Sequence, residues 1–600
     1  MALIVLTMFL GLAGRAHAQG SCPTAANMDG GLYAAPTHCY YIDFANGSDS
    51  NSGTTESSPW KHAPGMQGCA GTCAGVTAAA GDGFIFKGGD TWDYTIWPWA
   101  VNGSGSASGA DSYGGCTGSG CIYFGVDKSW YSGSQWARPV FSGGDWSNPG
   151  TNTTCFYQAT PGDNTFVVLD HDRNIIVDDF EFTGMCSQDG NPNGSKAAYI
   201  ECGNGSGGGN FTIENSYFHR AAWPLSAAPT YGDYWTAGWF ANCSAHWTYN
   251  VVDGSDAGPT ATYTTGHYPT DPVWTGEGIY SGIIYLDHSV FYHLSDATDI
   301  VPSTVADNYF FQSANKSAES NSGATNVHEH IQNDGVCPAG STLYHYNNVV
   351  DTIAWGMGYG PQATGSTNPC TYYVFNNVYT NPYSDGNTGL RVFNFPLVST
   401  FYVFNNTMEC GEDGSQPGYS GPPDYLCDPW GGGGTYFLYN SHFITAASPV
   451  QCGTAGNCAA FTTTAGASSN VSFSTIPGNP TDIITQSQSV ANTQGYSYQQ
   501  TYQFSPVSTC TSTTCATVSS GANEMLLCNQ MLDMNAQAAC KQGTTYGVFY
   551  DQVNHTAVPS GIAVNNRPLT GAWDVGAYQF ASGSVSAQPA APTGLIAVVQ

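Results

Sequence analysis

One heptapeptide recurs at a constant interval in the middle of this chain. Residues 373–379 read Tyr-Val-Phe-Asn-Asn-Val-Tyr, and residues 402–408, which begin 29 positions later, read Tyr-Val-Phe-Asn-Asn-Thr-Met. Residues 344–350, which begin 29 positions earlier, read Tyr-His-Tyr-Asn-Asn-Val-Val. Each copy is an apolar or aromatic strand, a pair of Asn residues and a second apolar strand. Repetition at such a period is typical of solenoids and other repeat architectures.

Looser copies extend the pattern in both directions at uneven intervals. They lie at residues 175–180, 213–218, 286–291, 306–311 and 438–443. We interpret the repeat as a coil of short parallel strands stacked about 4.8 Å apart. Asn adopts the left-handed backbone region and bonds to nearby main chain, so stacked Asn residues such as Asn347, Asn376 and Asn405 should lie in line. The alternative is a β-sandwich in which Asn marks ordinary turns, and the constant spacing favours the coil.

Composition excludes several other classes of protein. Charged residues make up 9% of the 600 residues and aromatic residues 13%, which argues against a disordered chain, a helical bundle and a coiled coil. Lys and Arg total 12 against 43 Asp and Glu, which gives a net charge of -31. That charge repels nucleic acid and anionic membranes, so a cationic binding cleft could exist only as a local patch.

The amino terminus and the cysteines predict export. Residues 2–13 are mostly apolar and Ala16-His17-Ala18 fits a cleavage site, so we expect a signal peptide over 1–18, with a membrane anchor as the alternative. No later stretch is apolar enough to span a bilayer, and the mature protein should be secreted or periplasmic. All 20 cysteines follow the proposed cut, and such an even number in an exported chain favours disulfides over zinc.

Sequence spacing suggests particular disulfide pairs. The closest pairs are Cys69–Cys73, Cys116–Cys121, Cys452–Cys458 and Cys510–Cys515. Wider candidates are Cys22–Cys39, Cys186–Cys202, Cys410–Cys427 and Cys528–Cys540.

The chain divides into a cap, a coil and a tail. We expect a cap with opening strands over 19–95, the coil over 96–580 and a disordered Pro/Ala/Ser-rich tail over 581–600. Long loops at 186–208, 222–245 and 255–278 should lie on one face, which is often the binding face. Residues 446–520 should form late rungs and irregular loops. Residues 522–541 have apolar residues at helical spacing and predict one amphipathic helix near the C-terminal end of the coil.

Motifs at both ends resemble a known superfamily. They are Tyr40-Tyr41-Ile42-Asp43-Phe44-Ala45-Asn46-Gly47-Ser48-Asp49-Ser50-Asn51-Ser52-Gly53-Thr54, Pro59-Trp60-Lys61, Gly81-Asp82-Gly83-Phe84-Ile85-Phe86-Lys87-Gly88-Gly89-Asp90-Thr91-Trp92 and Trp573-Asp574-Val575-Gly576-Ala577-Tyr578. With the repeats, they are similar to the secreted right-handed parallel β-helix proteins of the pectate-lyase-like superfamily, many of them bacterial. The resemblance implies an all-β right-handed parallel β-helix, a polysaccharide substrate bound along an outer groove, and a monomer. The complete catalytic signature of a polygalacturonase or a pectate lyase is not found in the sequence.

A first candidate cluster lies at residues 327–335. It contains His328, Glu329, His330 and Asp334. On a strand the two His would share one face and Glu329 would take the other. Glu329 and His330 could act as acid and base, while His328 and Asp334 could bind substrate or a metal. The alternative is a polar rung with solvated His side chains.

A second candidate cluster follows one of the repeat copies. Asp296 and Asp299 could bind Ca²⁺ or act as acid and base in glycoside cleavage. The alternative is an Asp-rich turn bonded to its own backbone.

Arginine is scarce, which draws attention to Arg220 and Arg391. In a β-elimination, a cation neutralises the uronate carboxylate and a base removes the C5 proton. Either Arg could be that cation, with His219 or His330 as the base, while surface ion pairs are the alternative. Trp235, in a predicted loop, could stack on a sugar or simply cover the core.

The sequence therefore predicts a secreted polysaccharide-active β-helix, cleaving its substrate by lyase or glycoside hydrolase chemistry. Ca²⁺ is the one cofactor that the sequence suggests, at Asp296 and Asp299. The alternative function is a non-catalytic carbohydrate-binding or adhesion solenoid.

Overall fold

The fold was analysed in a computed structural model of the chain. The structure describes residues 22–28, 35–144, 164–169, 173–186, 197–202, 209–222, 235–240, 243–255, 277–280, 283–292, 294, 296–298, 303–311, 340–351, 370–380, 399–410, 434–445, 471–473, 484–496 and 503–580. The proposed signal peptide and the predicted tail lie outside these residues.

Three parallel sheets run along the molecule. The first contains β1 (His38–Ile42), β2 (Ala78–Ala79), β3 (Asp82–Phe86), β6 (Gly103–Ser104), β7 (Ile122–Val126), β10 (Arg173–Asp178), β14 (Gly209–Glu214), β18 (Ala245–Thr248), β21 (Ile283–Asp287), β24 (Thr304–Ala306), β26 (Thr342–Tyr346), β28 (Thr371–Phe375), β30 (Ser399–Phe404), β32 (Gly434–Tyr439) and β34 (Val471–Phe473). The second contains β4 (Thr91–Trp92), β8 (Val140–Ser142), β11 (Glu181–Thr183), β15 (Tyr217–His219), β19 (Val251–Asp253), β22 (Val290–Tyr292), β25 (Tyr309–Phe311), β27 (Val349–Asp351), β29 (Val378–Thr380), β31 (Thr407–Cys410), β33 (His442–Thr445) and β35 (Ile484–Ser487). The third contains β5 (Trp99–Ala100), β9 (Asn164–Val168), β13 (Ala197–Glu201), β17 (Trp235–Trp239), β20 (Glu277–Tyr280) and β23 (Asp296–Thr298).

The remaining elements are few. β12 (Met185–Cys186) pairs with β16 (Ala221–Ala222), and β36 (Val548–Asp551) forms an antiparallel hairpin with β37 (Thr556–Pro559). The helices are α1 (Gln488–Thr493), α2 (Met525–Gln530) and α3 (Met534–Cys540). The chain passes from the first sheet to the second and, where described, to the third before it starts the next rung. This confirms the predicted all-β parallel β-helix.

Aromatic side chains fill the coil in stacked columns. Inside the coil, Phe182 and Phe218 of the second sheet stack with ring centroids 5.0 Å apart, and Phe218 also stacks on Trp247 of the first sheet at the same distance. On the outer face of the first sheet, Tyr344, Tyr373 and Tyr402 form a second column at 5.5 and 4.9 Å. Because each rung places an equivalent residue one strand spacing from the last, large rings repeat in register and exclude water.

The corner between the first and second sheets has one backbone conformation in nine successive rungs, from Asp179 to Asn440. Its first residue has a φ between 40° and 60° at Asp179, Asn215, Tyr249, His288, Asp307, Asn347, Asn376, Asn405 and Asn440. This left-handed conformation is tolerated best by Asn and Asp after Gly, which explains the first Asn of the repeat. Register pairs Tyr346 with Phe375 and Phe375 with Phe404, so Asn347, Asn376 and Asn405 lie in line as predicted.

The second corner residue makes the amide ladder. Asn348 donates through Nδ2 to Asn377 Oδ1 (3.0 Å), and Asn377 donates to Asn406 Oδ1 (3.1 Å). Each Nδ2 also donates to a main-chain carbonyl of the preceding rung, as Asn377 does to His345 O (3.0 Å). Asn250 and Asn308 continue the ladder toward the N-terminal end, with Ser at the intervening positions 216 and 289. The first Asn of the repeat therefore forms the left-handed corner, and the second Asn forms the hydrogen-bonded ladder.

The last part of the chain runs back along this corner. We call residues 503–580 the C-terminal strap. Ala522 N donates to Asn440 Oδ1 (2.8 Å), and Asn376 Nδ2 donates to Gln542 O (3.0 Å). Thr545 Oγ1 donates to Asp307 Oδ1, four described rungs before Asn440.

An arginine anchors the middle of the strap. Arg567 is 2% exposed, and its Nη2 donates to Asn376 Oδ1 (3.1 Å) while its Nε donates to Gln542 O (2.9 Å). Burial lowers the pKa of the guanidinium to about 9 against the opposing charge of Asp574, so Arg567 is still charged at neutral pH. The strap thus uses one of the few cations of the chain to bind the corner.

Two expectations about local structure were wrong. Residues 522–541 do not form one helix, because Asp533 caps a new helix by accepting from Asn535 N and Ala536 N; α2 and α3 pack on the outside of the first sheet against its late strands, β26 to β32 among them. Cys202 pairs with Cys243 and not with Cys186, since Cys202 and Cys243 follow the neighbouring third-sheet strands β13 and β17. Helix α1 lies in a segment expected to contain only rungs and loops.

Five predicted disulfides are confirmed. They are Cys22–Cys39, Cys69–Cys73, Cys116–Cys121, Cys510–Cys515 and Cys528–Cys540. Cys427, Cys452 and Cys458 lie outside the described residues. Among the residues that the structure describes, no helix is long and apolar enough to cross a membrane.

The ladder predicts a specific loss of stability. Asn377→Ala leaves the buried main-chain N–H and side-chain Nδ2 of Asn348 without their acceptor, and His345 O without its donor. We expect the free energy of unfolding to fall by roughly 2–4 kcal/mol, measured by guanidinium denaturation. Asn102→Ala, at an exposed position, is the control. Equal stability of the two variants would contradict a stabilising role for the ladder.

Candidate functional site

The connections between sheets differ greatly in length. Two residues at the corner, such as Asn376-Asn377, link the first sheet to the second. After a second-sheet strand the chain is much longer, for example between Asp253 and Glu277 or between Phe311 and Thr342. The C-terminal ends of the second-sheet strands are therefore the edge from which long insertions leave.

One outward position at this edge forms a continuous row. Successive rungs place in register His219, Asp253, Tyr292, Phe311, Asp351 and Thr380, and Thr380 Oγ1 donates to Glu409 Oε2 (3.5 Å) in the next rung. We call these seven residues the loop-side row. The residue before each of them, as at Phe218 and Phe291, points into the core. Strand alternation thus turns the row outward.

The row combines acid–base groups with aromatic rings. Tyr292 and Phe311 are partly exposed and stacked, with centroids 4.8 Å apart. Asp253, Asp351 and Glu409 are buried, at 4%, 0% and 1% exposure. Of these five residues, the partly exposed aromatic pair is the part that is chemically suited to stack on a sugar ring.

His219 begins the row and is held by a carboxylate of the preceding rung. Its Nε2 lies 3.1 Å from Glu181 Oε1, and the Glu181 side chain is 28% exposed. Burial acts to raise the pKa of Glu181, but the hydrogen bond to His219 and the charges of His219, Arg138 and His555 outweigh it and lower that pKa. The carboxylate thus stays ionised and orients the imidazole.

Two arginines lie near this pair. Arg220 follows His219 directly, is exposed, and has a φ of 54°. Arg138 donates to Asp179 through Nε (2.9 Å) and to Asn554 O through Nη1 (3.2 Å). The charge of Arg138 is therefore paired with a carboxylate, whereas Arg220 is exposed.

The structure tests few of the site residues predicted from sequence. Arg220 lies beside the row. The backbone of Asp296 in β23 pairs with Glu277 in β20, which pairs with Thr236, the neighbour of Trp235. Trp235 and Asp296 therefore belong to the same sheet, two rungs apart. The other predicted site residues lie outside the described residues, namely Asp299, His328, Glu329, His330, Asp334 and Arg391.

Sequence reasoning missed the acidic members of the row. Alignment on the Asn pairs would have found them, because Asn250 and Asn348 are each followed by Val-Val-Asp, which ends at Asp253 and Asp351. Glu409 occupies the same position after Asn406. The sequence signal for these acidic residues was a polar residue three positions after each ladder Asn. A strand that is covered by apolar side chains on both faces would have an apolar residue at that position.

A second charged cluster lies at the first corner. Asp287 Oδ1 is 3.1 Å from His246 Nε2, and Asp287 Oδ2 is 3.5 Å from His288 Nδ1. Burial lowers the pKa of His288, but Asp287 outweighs this effect and raises it to about 9, so His288 is charged at neutral pH. The strap covers the adjacent Asp307, which makes this a structural cluster.

The described residues offer no evident metal centre. Among them, no three His, Cys, Asp or Glu side chains are grouped to hold an ion. The predicted calcium site involves Asp299, on which the structure gives no information, and it stays a prediction.

Comparisons with known proteins give no family. No protein-family model and no curated protein matches the chain. Similar solved structures include the pectate lyase Pel9A (TM-score 0.36, 11% identity, covering 92% of this chain and 99% of that one) and a rhamnogalacturonan lyase (0.28, 14%, 68% and 82%). Another is the GH136 lacto-N-biosidase from Eubacterium ramulus (0.32, 13%, 68% of this chain), of which the chain spans 60% of the length. Likeness at this level carries no argument about activity.

The Glu181–His219 pair predicts a pH dependence of stability. Because the pKa of Glu181 is lowered from 4.5 on folding, the stabilisation is complete above pH 4.5 and is lost as pH falls below it. Glu181→Gln should make the free energy of unfolding fall less steeply in that range, measured by denaturation at several pH values.

Glu56 provides a control of opposite sign. Partial burial and the charge of Asp127 raise its pKa, so Glu56→Gln should make the same decline steeper near pH 4.5. Identical pH profiles for Glu181→Gln and the wild type would contradict the pairing of Glu181 with His219.

Proposed function

We propose that the protein cleaves an extracellular acidic polysaccharide by β-elimination beside the start of the loop-side row. The observation that carries this proposal is His219, fixed by Glu181 at 3.1 Å and followed directly by the exposed Arg220. A base held by a carboxylate beside a cation is the minimum that elimination from a uronate requires.

The chemistry assigns one task to each group. Arg220 pairs with the uronate carboxylate and stabilises the charge that develops when the C5 proton leaves. His219 accepts that proton, the C–H electrons form the C4–C5 double bond, and the C4–O bond breaks. The leaving oxygen then takes a proton from water. Glu181 stabilises the imidazolium that forms on His219.

Local charge supports an acidic substrate despite the net charge of -31. A polyuronate is repelled by most of the surface, and the exposed Arg220 reduces this repulsion locally. Tyr292 and Phe311 lie further along the row, where stacked rings can bind further sugar units.

Glycoside hydrolysis is the second candidate, and a different observation favours it. Asp351 and Glu409 are two rungs apart, about 9.6 Å along the coil, with Thr380 between them. Inverting glycosidases hold their two carboxyl groups about 6.5–9.5 Å apart to admit a water molecule, and this spacing between the two backbones is just above that range. Asp296, Asp299, Glu329 and His330 stay predicted catalytic residues for either reaction.

A polysaccharide panel discriminates these reactions. The mature protein is incubated with acidic and neutral polymers, and unsaturated ends are followed by ultraviolet absorbance and new reducing ends by a colour assay. We expect unsaturated ends from acidic polymers. Reducing ends without unsaturation would support hydrolysis instead, and binding without cleavage across the panel would favour the non-catalytic alternative.

Variants test the assigned roles. His219→Ala should lower kcat at least about 100-fold, while His38→Ala, at an exposed position, is the control. Arg220→Ala should lower activity on acidic polymers, with partial rescue by Arg220→Lys. Full activity of His219→Ala would exclude His219 as the base, and a loss confined to Asp296, Asp299, Glu329 or His330 variants would assign the reaction to those residues instead.

A further inference from the structure

The hairpin of the C-terminal strap places a glutamine beside the exposed part of the loop-side row. Gln552 lies in the turn between β36 and β37 and is exposed. Its Nε2 donates to Tyr292 Oη (3.0 Å). Tyr292 in turn stacks on Phe311, and both rings are partly exposed. Gln552, Tyr292 and Phe311 therefore form one accessible surface, which we call the strap platform.

Contacts on both sides hold the turn that carries Gln552. Two positions before it, Tyr550 Oη donates to Asp253 Oδ2 (2.5 Å). Two positions after it, Asn554 O accepts a hydrogen bond from Arg138 Nη1 (3.2 Å). The amide of Gln552 is thus held in place before any ligand arrives, which lowers the entropic cost of binding.

The platform has the polar and apolar groups that a sugar unit requires. A Gln side chain carries two N–H donors and a carbonyl acceptor, and Gln552 uses one N–H on Tyr292 Oη. Its second N–H and its Oε1 bond to no other group among the described residues and are available to sugar hydroxyls. The partly exposed rings of Tyr292 and Phe311 offer apolar surface to the C–H groups of the same sugar.

The charges around the platform disfavour a carboxylate there. Burial and the negative charges of Asp253 and Asp351 raise the pKa of Tyr292 to about 12, against the hydrogen bond from Gln552. Burial acts to raise the pKa of Asp551, the neighbour of Gln552, but hydrogen bonds within the turn outweigh it and lower that pKa. These carboxylates would repel a uronate placed beside the Tyr292 hydroxyl, whereas a neutral sugar is not repelled.

We propose that the strap platform is a subsite for an uncharged sugar unit, with Gln552 as the residue that determines this specificity. This proposal rests on the proposed function, in which a uronate is bound at Arg220. Tyr292 lies two rungs beyond His219, about 9.6 Å along the coil. The preferred substrate is therefore a heteropolymer of uronate and neutral sugars, with a uronate at Arg220 and a neutral unit at the platform.

The test compares two oligosaccharides of equal length, one of uronate only and one in which uronate alternates with a neutral sugar. Binding is measured by calorimetry in a His219→Ala background, or in His219→Gln if that variant does not fold. The alternating oligosaccharide should bind more tightly, and Gln552→Ala should weaken its binding about 3- to 10-fold, the loss expected for one hydrogen bond. Gln552→Lys should reverse the preference, because its cation attracts a carboxylate. Gln67→Ala and Gln67→Lys, at an exposed position of the cap, are the matched controls.

Cleavage is measured separately, as unsaturated ends released by the wild-type protein. Cleavage together with equal binding of the two oligosaccharides would overturn the subsite and leave the proposed function intact. A preference for the alternating oligosaccharide that is lost in Gln552→Ala supports the subsite even if no unsaturated ends form. Unchanged affinities in Gln552→Ala would overturn the role of Gln552, and binding of neither oligosaccharide would overturn both proposals.

Discussion

The amide ladder at the first corner is the interaction on which the rest of the structure depends. A parallel coil has no hairpin turns to set its register, so the corner has to define where each strand begins. Asn308, Asn348, Asn377 and Asn406 do so by bonding each to the next and to the rung before. A slip by one residue would break every one of these bonds and turn the core rings outward. The register of the loop-side row is thus a consequence of the ladder.

Much of the fold could be predicted because the repeat is local and periodic. The Asn pair encodes both the left-handed corner and the ladder, and its 29-residue spacing is visible in the sequence. The Cys202–Cys243 bond and the path of the strap could not be read in this way. Both depend on which rungs become neighbours, and Arg567 meets Asn376 only after the coil has formed.

The site was less predictable than the fold for a related reason. His219 and Arg220 drew attention as a rare base and cation, and the structure places them at the start of an outward row. The acidic partners of that row come from separate rungs, and Glu181 is 38 positions from His219. His555 is brought to His219 by the strap, which no periodicity in the sequence predicts. These residues become neighbours of His219 only when the rungs stack and the strap folds back. A motif search compares residues that are close in sequence and therefore cannot find them.

The ladder aligns a row of outward side chains, and we propose that an acidic sugar chain binds along this row. A crystal structure of the mature protein with an unsaturated uronate oligosaccharide tests this proposal. We predict a sugar carboxylate paired with Arg220, C5 facing His219, and further sugar units along Tyr292 and Phe311. An oligosaccharide bound on another face, with the row unoccupied, would contradict it.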